Sequence, residues 1–70
     1  MTPDLTDMEK LSHLLKHWQD HNEEHVADYR QWADKAEASG RTETAALLRE
    51  AAEISARVTE LFARAKAALD

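Results

Sequence analysis

The chain has 70 residues, with 14 Asp and Glu against 9 Lys and Arg, one Gly, one Pro and no Cys. A chain this short forms one small domain, and the scarcity of Gly and Pro disfavours β-folds and nucleotide-binding folds, which need turn and phosphate-binding glycines. The formal charge of -5 argues against a nucleic-acid partner, and the lack of Cys excludes disulfides and zinc–thiolate sites.

The first predicted helix covers about residues 4–38. Thr6 and Glu9 at its start have the spacing of a capping box, in which each side chain bonds to the backbone N–H of the other residue. The helix meets no breaker until Gly40, the residue type that most readily adopts the left-handed conformation beyond a helix end.

A turn over residues 39–42 follows, with Thr42 as the expected N-cap of the next helix. The second predicted helix covers about residues 43–68, and the short connection favours an antiparallel arrangement. The sequence therefore predicts an all-α fold, with residues 1–70 forming a single helical-hairpin domain.

Apolar residues recur at heptad spacing in both predicted helices. The stripe of the first helix consists of Met8, Leu11, Leu15, Trp18, Asn22, His25, Tyr29, Trp32 and Ala36. The stripe of the second helix consists of Leu47, Ala51, Ile54, Val58, Leu61, Ala65 and Ala68, widened by Leu48, Ser55, Phe62 and Leu69. Because one partner helix cannot cover the second stripe, we predict a homodimer of hairpins that forms a four-helix bundle. A longer coiled coil or a docking surface for another protein would use the same stripe.

Polar and aromatic residues within the first stripe have structural interpretations. Asn22 is expected to fix the register of the helices, as polar residues in coiled-coil seams do. Trp18, Tyr29 and Trp32 are expected to supply buried area, although their spacing would also permit an aromatic box for a ligand.

All four histidines follow one another at i, i+4 spacing, at His13, His17, His21 and His25. Residues four apart lie one turn apart on nearly the same side of a helix, and such a histidine pair can chelate one divalent ion. Because His13 and His25 are separated by about 18 Å of helix axis, one ion can take only two or three of the four. The ladder predicts a metal site whose other ligands are carboxylates, water or groups of another chain.

The four histidines differ in their position relative to the apolar stripe of the first helix. His17 and His21 are the favoured pair of ligands. His25 lies in the apolar seam, where a hydrogen-bonded core histidine is an equal alternative. His13 has rotated to the outer face, where a surface histidine is the simpler interpretation.

Carboxylates accompany the histidine ladder. Glu24 and Asp28 lie beside it, and Asp20 lies near His17. Imidazole and carboxylate ligands suit Ni, Zn, Co or Cu and, without thiolates, favour none of them.

The ladder region reads His17-Trp18-Gln19-Asp20-His21-Asn22-Glu23-Glu24-His25, followed by Tyr29, Trp32-Ala33, Gly40 and an Ala-rich second helix. It resembles a small bacterial helical-hairpin domain with the signature H-W-x-x-H-N-x-x-H. Such domains occur alone or appended to small nickel-binding accessory proteins of carbon monoxide dehydrogenase maturation. The resemblance implies that His17, His21 and His25 are the site residues, and that nickel or a related divalent ion is the metal. His13 lies outside the signature.

These observations predict a small cytoplasmic protein that binds a transition metal for storage, sensing or delivery, with a metallochaperone client or another protein as a further partner. Because an imidazole must be neutral to bind a metal, binding should weaken as the pH falls through about 6. The alternative is a metal-free oligomerisation or interaction module with a pH-responsive histidine face.

Other functions and locations are disfavoured. A 70-residue hairpin can hardly enclose an active site, so we expect no enzyme. A ferritin-like di-iron site needs histidines on facing helices, and the second helix has none. No apolar run approaches the roughly 18 residues of a membrane span, and the first residues do not resemble a signal peptide, which predicts a cytoplasmic protein without membrane contact.

Overall fold

The computed structural model of the chain describes residues 6–70, which form two helices. Helix α1 runs over Asp7–Ala38 and helix α2 over Thr42–Leu69, and the two pack against each other along their length. The predicted all-α helical hairpin is confirmed, with helix ends close to the predicted ones. The part of the first predicted helix that falls on residues 4 and 5 lies outside the described residues.

Thr6 caps the beginning of α1. Its backbone is extended, and its hydroxyl oxygen accepts a hydrogen bond of 3.1 Å from the backbone N–H of Glu9. The Thr6 hydroxyl donates in turn to the Glu9 carboxylate at 3.1 Å. The predicted hydrogen bond from the backbone N–H of Glu9 to the Thr6 side chain is therefore confirmed. The Glu9 carboxylate, which was expected to accept from the backbone N–H of Thr6, accepts from the Thr6 hydroxyl.

The turn between the helices is a Schellman motif. Gly40 has a φ of 79°, its N–H donates to the carbonyl of Glu37 at 2.9 Å, and the N–H of Arg41 donates to the carbonyl of Ala36 at 2.9 Å. The predicted role of Gly40 is confirmed. The prediction that Thr42 caps α2 is wrong, because the motif ends at Arg41, which takes the cap position without a side-chain cap bond, and Thr42 is already helical.

Small side chains form the contact between the helices. The buried residues are Leu15, Val26 and Ala33 of α1 with Ala45, Ala52 and Thr59 of α2. The three residues of α2 are seven positions apart, so they form one line along the helix. Because Ala and Thr are short, this line lets the two backbones approach closely.

The seam of the hairpin differs from the predicted one. On α1 the line of Val26 and Ala33 faces α2 in place of the predicted line of Trp18 and Trp32, which are 40% and 59% exposed. Both tryptophans therefore lie outside the seam of the single hairpin, and their burial stays a prediction for the dimer. The reason is geometric: two adjacent lines of α1 carry apolar residues, and the line with the smaller side chains fits against the alanines of α2.

The hairpin is a single layer of helices whose smallest dimension is 11 Å, so it has two broad faces. One of them, the charged face, carries the ion pairs Lys16–Asp20, Arg49–Asp34, Arg49–Glu37 and Lys66–Asp70. The ion pairs from Arg49 to Asp34 and Glu37 link the two helices.

The other face, the apolar face, is formed by two heptad stripes. Its α1 stripe consists of Leu11, Leu14, Trp18, His21, His25, Asp28 and Trp32, and its α2 stripe of Leu47, Ala51, Ile54, Val58, Leu61, Ala65 and Ala68. Trp18 and Phe62, with ring centroids 5.8 Å apart, join the helices on this face. Six large apolar side chains of the face, Leu14, Trp18, Trp32, Leu47, Ile54 and Leu61, are 40% to 61% exposed.

Within residues 6–70, neither helix has a stretch long and apolar enough to cross a membrane.

Candidate metal centre

Three of the four histidines form a continuous series of ring contacts along α1. The ring centroids of His17 and His21 are 5.8 Å apart with planes at 27°, and those of His21 and His25 are 4.5 Å apart with planes at 81°. The ring of Tyr29 lies 6.1 Å beyond that of His25. The i, i+4 spacing on one helix produces this series, since each ring lies above the ring of the previous turn.

His21 and His25 make the closest contact in the series, with 2.9 Å between their Nε2 atoms. Two ligands bound at about 2.0–2.1 Å and at right angles have their nitrogens about 2.8–3.0 Å apart, whereas tetrahedral ligands are about 3.3–3.4 Å apart. The pair therefore already has the separation of neighbouring ligands in octahedral or square-planar coordination. Without a metal, the same distance accommodates a hydrogen bond from the N–H of one ring to the bare nitrogen of the other.

His25 is half-buried, whereas His17 and His21 are exposed. His25 lies beside the hairpin seam and contacts His21 and Tyr29. The amide of Asn22 donates across the helices to the Ser55 carbonyl and the Thr59 hydroxyl of α2. The structure thus places His25 on the apolar face, between the hairpin seam and the exposed ring of His21.

His13 stands apart from the other histidines, on the charged face. It lines a shallow cavity with Ser12 and Asp70 near the start of α1 and the end of α2. Hydrogen bonds from Lys66 and Ser12 lower the pKa of Asp70, and the charge of His13 contributes to the same shift. Its surroundings are those of a surface histidine near a carboxylate.

The predicted carboxylate ligands differ in position. Asp28 is exposed and lies on the same heptad line as His21, one turn beyond His25, while Glu24 is exposed on the outer side of α1. Asp20 bonds to Lys16 at 2.9 Å, and this interaction raises the pKa of Lys16. Asp20 is therefore directed to the charged face.

Across residues 6–70, no three or more His, Asp or Glu side chains are gathered closely enough to hold one ion. His21 and His25 could supply two ligands of a metal site, a histidine pair that we call the half-site, and Asp28 follows them on the apolar face. Leu14 lies outside the predicted stripes, although its spacing of seven from His21 and fourteen from Asp28 is the signal that it shares their heptad line.

A comparison with known protein families finds a match for this chain. The model of a domain of unknown function, DUF8180, matches residues 11–69, a span that contains all four histidines. An uncharacterized protein of Archaeoglobus fulgidus is 43% identical over 58 residues, which cover 83% of this chain and 92% of the relative. No solved structure matches the chain. The match over nearly the whole hairpin shows that the chain belongs to the DUF8180 family.

Proposed function

We propose that this domain binds a divalent transition metal through the Nε2 atoms of His21 and His25. The observation that carries the proposal is their separation of 2.9 Å, which suits two ligands at right angles around one ion. Asp28 is the carboxylate best placed to approach the same ion, while His17 is the third imidazole of the series. Glu24 and His13 lie farther round the helix and are the weaker candidates.

The geometry also bears on the choice among Ni, Zn, Co and Cu. Ni(II) and Cu(II) accept nitrogen and oxygen ligands in square or octahedral arrangements, whereas protein-bound Zn is almost always tetrahedral at structural sites. The 2.9 Å between the two nitrogens is nearer to the value for right-angle ligands than to the tetrahedral value, and it is also the length of a hydrogen bond between the rings, so it gives Ni(II) and Cu(II) slight support. Nickel is also the metal that the resemblance of the His17–His25 segment to nickel accessory domains implies.

A role in metal storage, sensing or delivery suits this half-site better than catalysis. The ring of His21 is exposed and each hairpin supplies only two imidazoles, so an ion can reach the half-site of a single hairpin from the solvent and leave it again. We expect such a protein to act in the cytoplasm and to pass the ion to a protein client.

Isothermal titration of the chelator-stripped protein with Ni(II), Cu(II) and Zn(II) at about pH 7.5 tests the proposal, since neutral imidazole is the ligand. We expect micromolar or tighter binding by the wild type, and a loss of about 10- to 100-fold or more in His21→Ala and in His25→Ala. His13→Ala is the matched control, because it removes an imidazole on the charged face, and it should bind like the wild type. Equal affinities in all variants, or binding no tighter than that of an isolated surface histidine pair, would overturn the proposal.

A second candidate function, a metal-free oligomerisation module, is favoured by the six exposed large side chains of the apolar face. It predicts that the chelator-treated protein self-associates as strongly as the metal-loaded one. Sedimentation velocity with and without chelator separates the two functions.

A further inference from the structure

The α2 stripe of the apolar face is apolar at every heptad position from Leu47 to Ala68. These positions lie outside the hairpin seam, and the large ones, Leu47, Ile54 and Leu61, are 45% to 61% exposed. An uninterrupted apolar heptad stripe is typical of a helix that packs against another helix. Since α1 already occupies the other side of α2, this stripe is available for a further helix pair.

The α1 stripe of the same face is apolar at its ends and polar in its middle. Leu11, Leu14 and Trp18 precede the polar group, Trp32 follows it, and the group itself consists of His21, His25 and Asp28. Without a ligand, removing two imidazoles and a carboxylate from water would oppose any association through this face. A bound cation would remove that penalty, because all three side chains can coordinate it.

The size of the apolar face matches that of a protein interface. At about 1.5 Å per residue, the 28 residues of α2 extend over about 42 Å, and the hairpin is 21 Å wide. One broad side of the hairpin thus has a footprint of about 900 Å², large enough to accommodate the roughly 800 Å² of accessible surface that each partner buries in a complex of standard size. The ion pairs that would hinder close packing lie on the charged face.

The position of the histidine pair points to a second copy of this chain as the partner that covers the apolar face. The middle of α1, which spans Asp7–Ala38, falls between Asn22 and Glu23, so His21 and His25 lie on either side of it. When two hairpins pack face to face with full overlap and α1 antiparallel to its mate, the two-fold axis crosses α1 at this middle point. The histidine pairs of the two copies then meet at the axis.

We propose that a second copy of this chain docks on the apolar face about this two-fold axis, and that His21, His25 and Asp28 of both copies surround one metal ion. The inference rests on the metal binding proposed above and names the partner that completes the half-site. The α2 stripes pack on each other in the same arrangement, with Ile54 close to the axis because the middle of Thr42–Leu69 falls next to Ser55. Each copy supplies two imidazoles, so the pair of copies supplies four nitrogens, two more than one hairpin offers through His21 and His25.

Two measurements on the full chain test the proposal: the stoichiometry of Ni(II) by isothermal titration, and the mass by sedimentation velocity with and without Ni(II). We expect one ion per two chains and a dimer that Ni(II) strengthens, because a ligand that binds only the dimer stabilises it. In His21→Ala/His25→Ala, Ni(II) should no longer change the mass distribution.

The variant Ile54→Glu tests the interface independently of the metal ligands. It places a charge in the α2 stripe and leaves the histidines and Asp28 of α1 unchanged. It should give a helical monomer whose Ni(II) affinity is lower by about 10-fold or more. Ala46→Glu, which adds the same charge to an exposed position of α2 outside the apolar stripe, is the matched control and should remain dimeric with wild-type affinity. Circular dichroism checks the helix content, and Leu47→Glu replaces Ile54→Glu if the latter does not fold.

The possible failures are distinguishable. One ion per chain, with a monomeric protein and an unchanged affinity in Ile54→Glu, would overturn the shared site and leave metal binding intact. A dimer that Ile54→Glu dissociates but that binds no metal would overturn both the shared site and the proposed function.

Discussion

The side-chain amide of Asn22 donates a hydrogen bond of 2.7 Å to the hydroxyl of Thr59 on the opposite helix. The same amide donates to the backbone carbonyl of Ser55 at 2.6 Å, and the Thr59 hydroxyl donates to this carbonyl at 3.2 Å. This polar cluster lies in the middle of a seam of small apolar side chains. A slip of one helix along the other would deprive the half-buried amide of both acceptors, so the cluster suits the register role predicted for Asn22.

Asn22→Ala and Thr59→Val should each destabilise the hairpin by about 1–2 kcal/mol, because each removes hydrogen bonds within the seam. The two changes should not add, since they share a hydrogen bond, and the coupling should amount to about 0.5 kcal/mol or more. Urea unfolding of both single variants and the double variant at one protein concentration measures this coupling. Gln31→Ala, at an exposed position of α1, is the control and should lie within about 0.5 kcal/mol of the wild type. Strictly additive effects would show that the 2.7 Å contact contributes nothing.

Asn22→Leu should separate the stability of the hairpin from the uniqueness of its helix register. An apolar residue in the seam should keep the thermal midpoint at or above that of the wild type while permitting alternative helix registers. Amide NMR spectra should then show doubled or broadened signals for residues around Thr59. A single sharp set of signals would mean that the alanine packing alone determines the register.

Ala52 is fully buried between the helices, and its replacement tests how closely they pack. Ala52→Leu should cost about 1–3 kcal/mol, because the added atoms push the helices apart. Ala46→Leu makes the same change at an exposed position of α2 and should be nearly neutral. Comparable unfolding midpoints for the two variants would contradict a tightly packed alanine seam.

Gly40 has a φ of 79°, and a Cβ atom built on it would meet nothing within 4 Å. The effect of Gly40→Ala is therefore purely conformational, and we expect a destabilisation of about 1–2 kcal/mol. Gly40→Asn should cost less, because Asn tolerates the left-handed region better. The order of the urea midpoints, with glycine first, asparagine second and alanine last, checks this explanation, and any reversal would refute it.

Asp70 joins the two ends of the hairpin through Ser12, whose hydroxyl donates to it at 2.9 Å, and through Lys66. Hydrogen bonds from Lys66 and Ser12 lower the pKa of Asp70 below its ordinary value of 3.8. A lowered pKa means that the charged form stabilises the folded state, so the contribution is present above 3.8 and disappears as the pH falls through the folded value. Asp70→Asn should melt below the wild type at neutral pH and together with it in strong acid. Thermal melts at both pH values measure this, and a constant difference would argue against the ionic contact.

Local signals in the sequence were sufficient for the two helices, the cap of α1 and the turn that follows it, but not for the cap of α2. Thr6 with Glu9 at one end and Gly40 at the other act through neighbouring backbone groups, so their roles could be predicted without knowledge of the tertiary structure. The place of Asn22 in the seam was predictable for a related reason, because it lies on the heptad line of Leu15 and Tyr29.

The pairing of the histidines was not predictable from spacing. The i, i+4 rule makes His17–His21 and His21–His25 equivalent, and the former pair was the predicted one. In the structure the closest contact is between His21 and His25, where His25 is half-buried and lies against the ring of Tyr29. Side-chain rotamers and neighbouring rings set these distances, and a helical repeat does not specify either.

The sequence by itself determined two amphipathic helices, the turn between them and the side of α1 that carries the ladder, because these depend on residue type and periodicity. The tertiary structure decided which of two adjacent apolar lines joins the helices. Val26 and Ala33 pack against the alanines of α2, and Trp18 and Trp32 remain on the outside. The physical reason is side-chain volume: helices that meet through small residues approach closely, and the larger side chains then form the exposed apolar face beside His21 and His25.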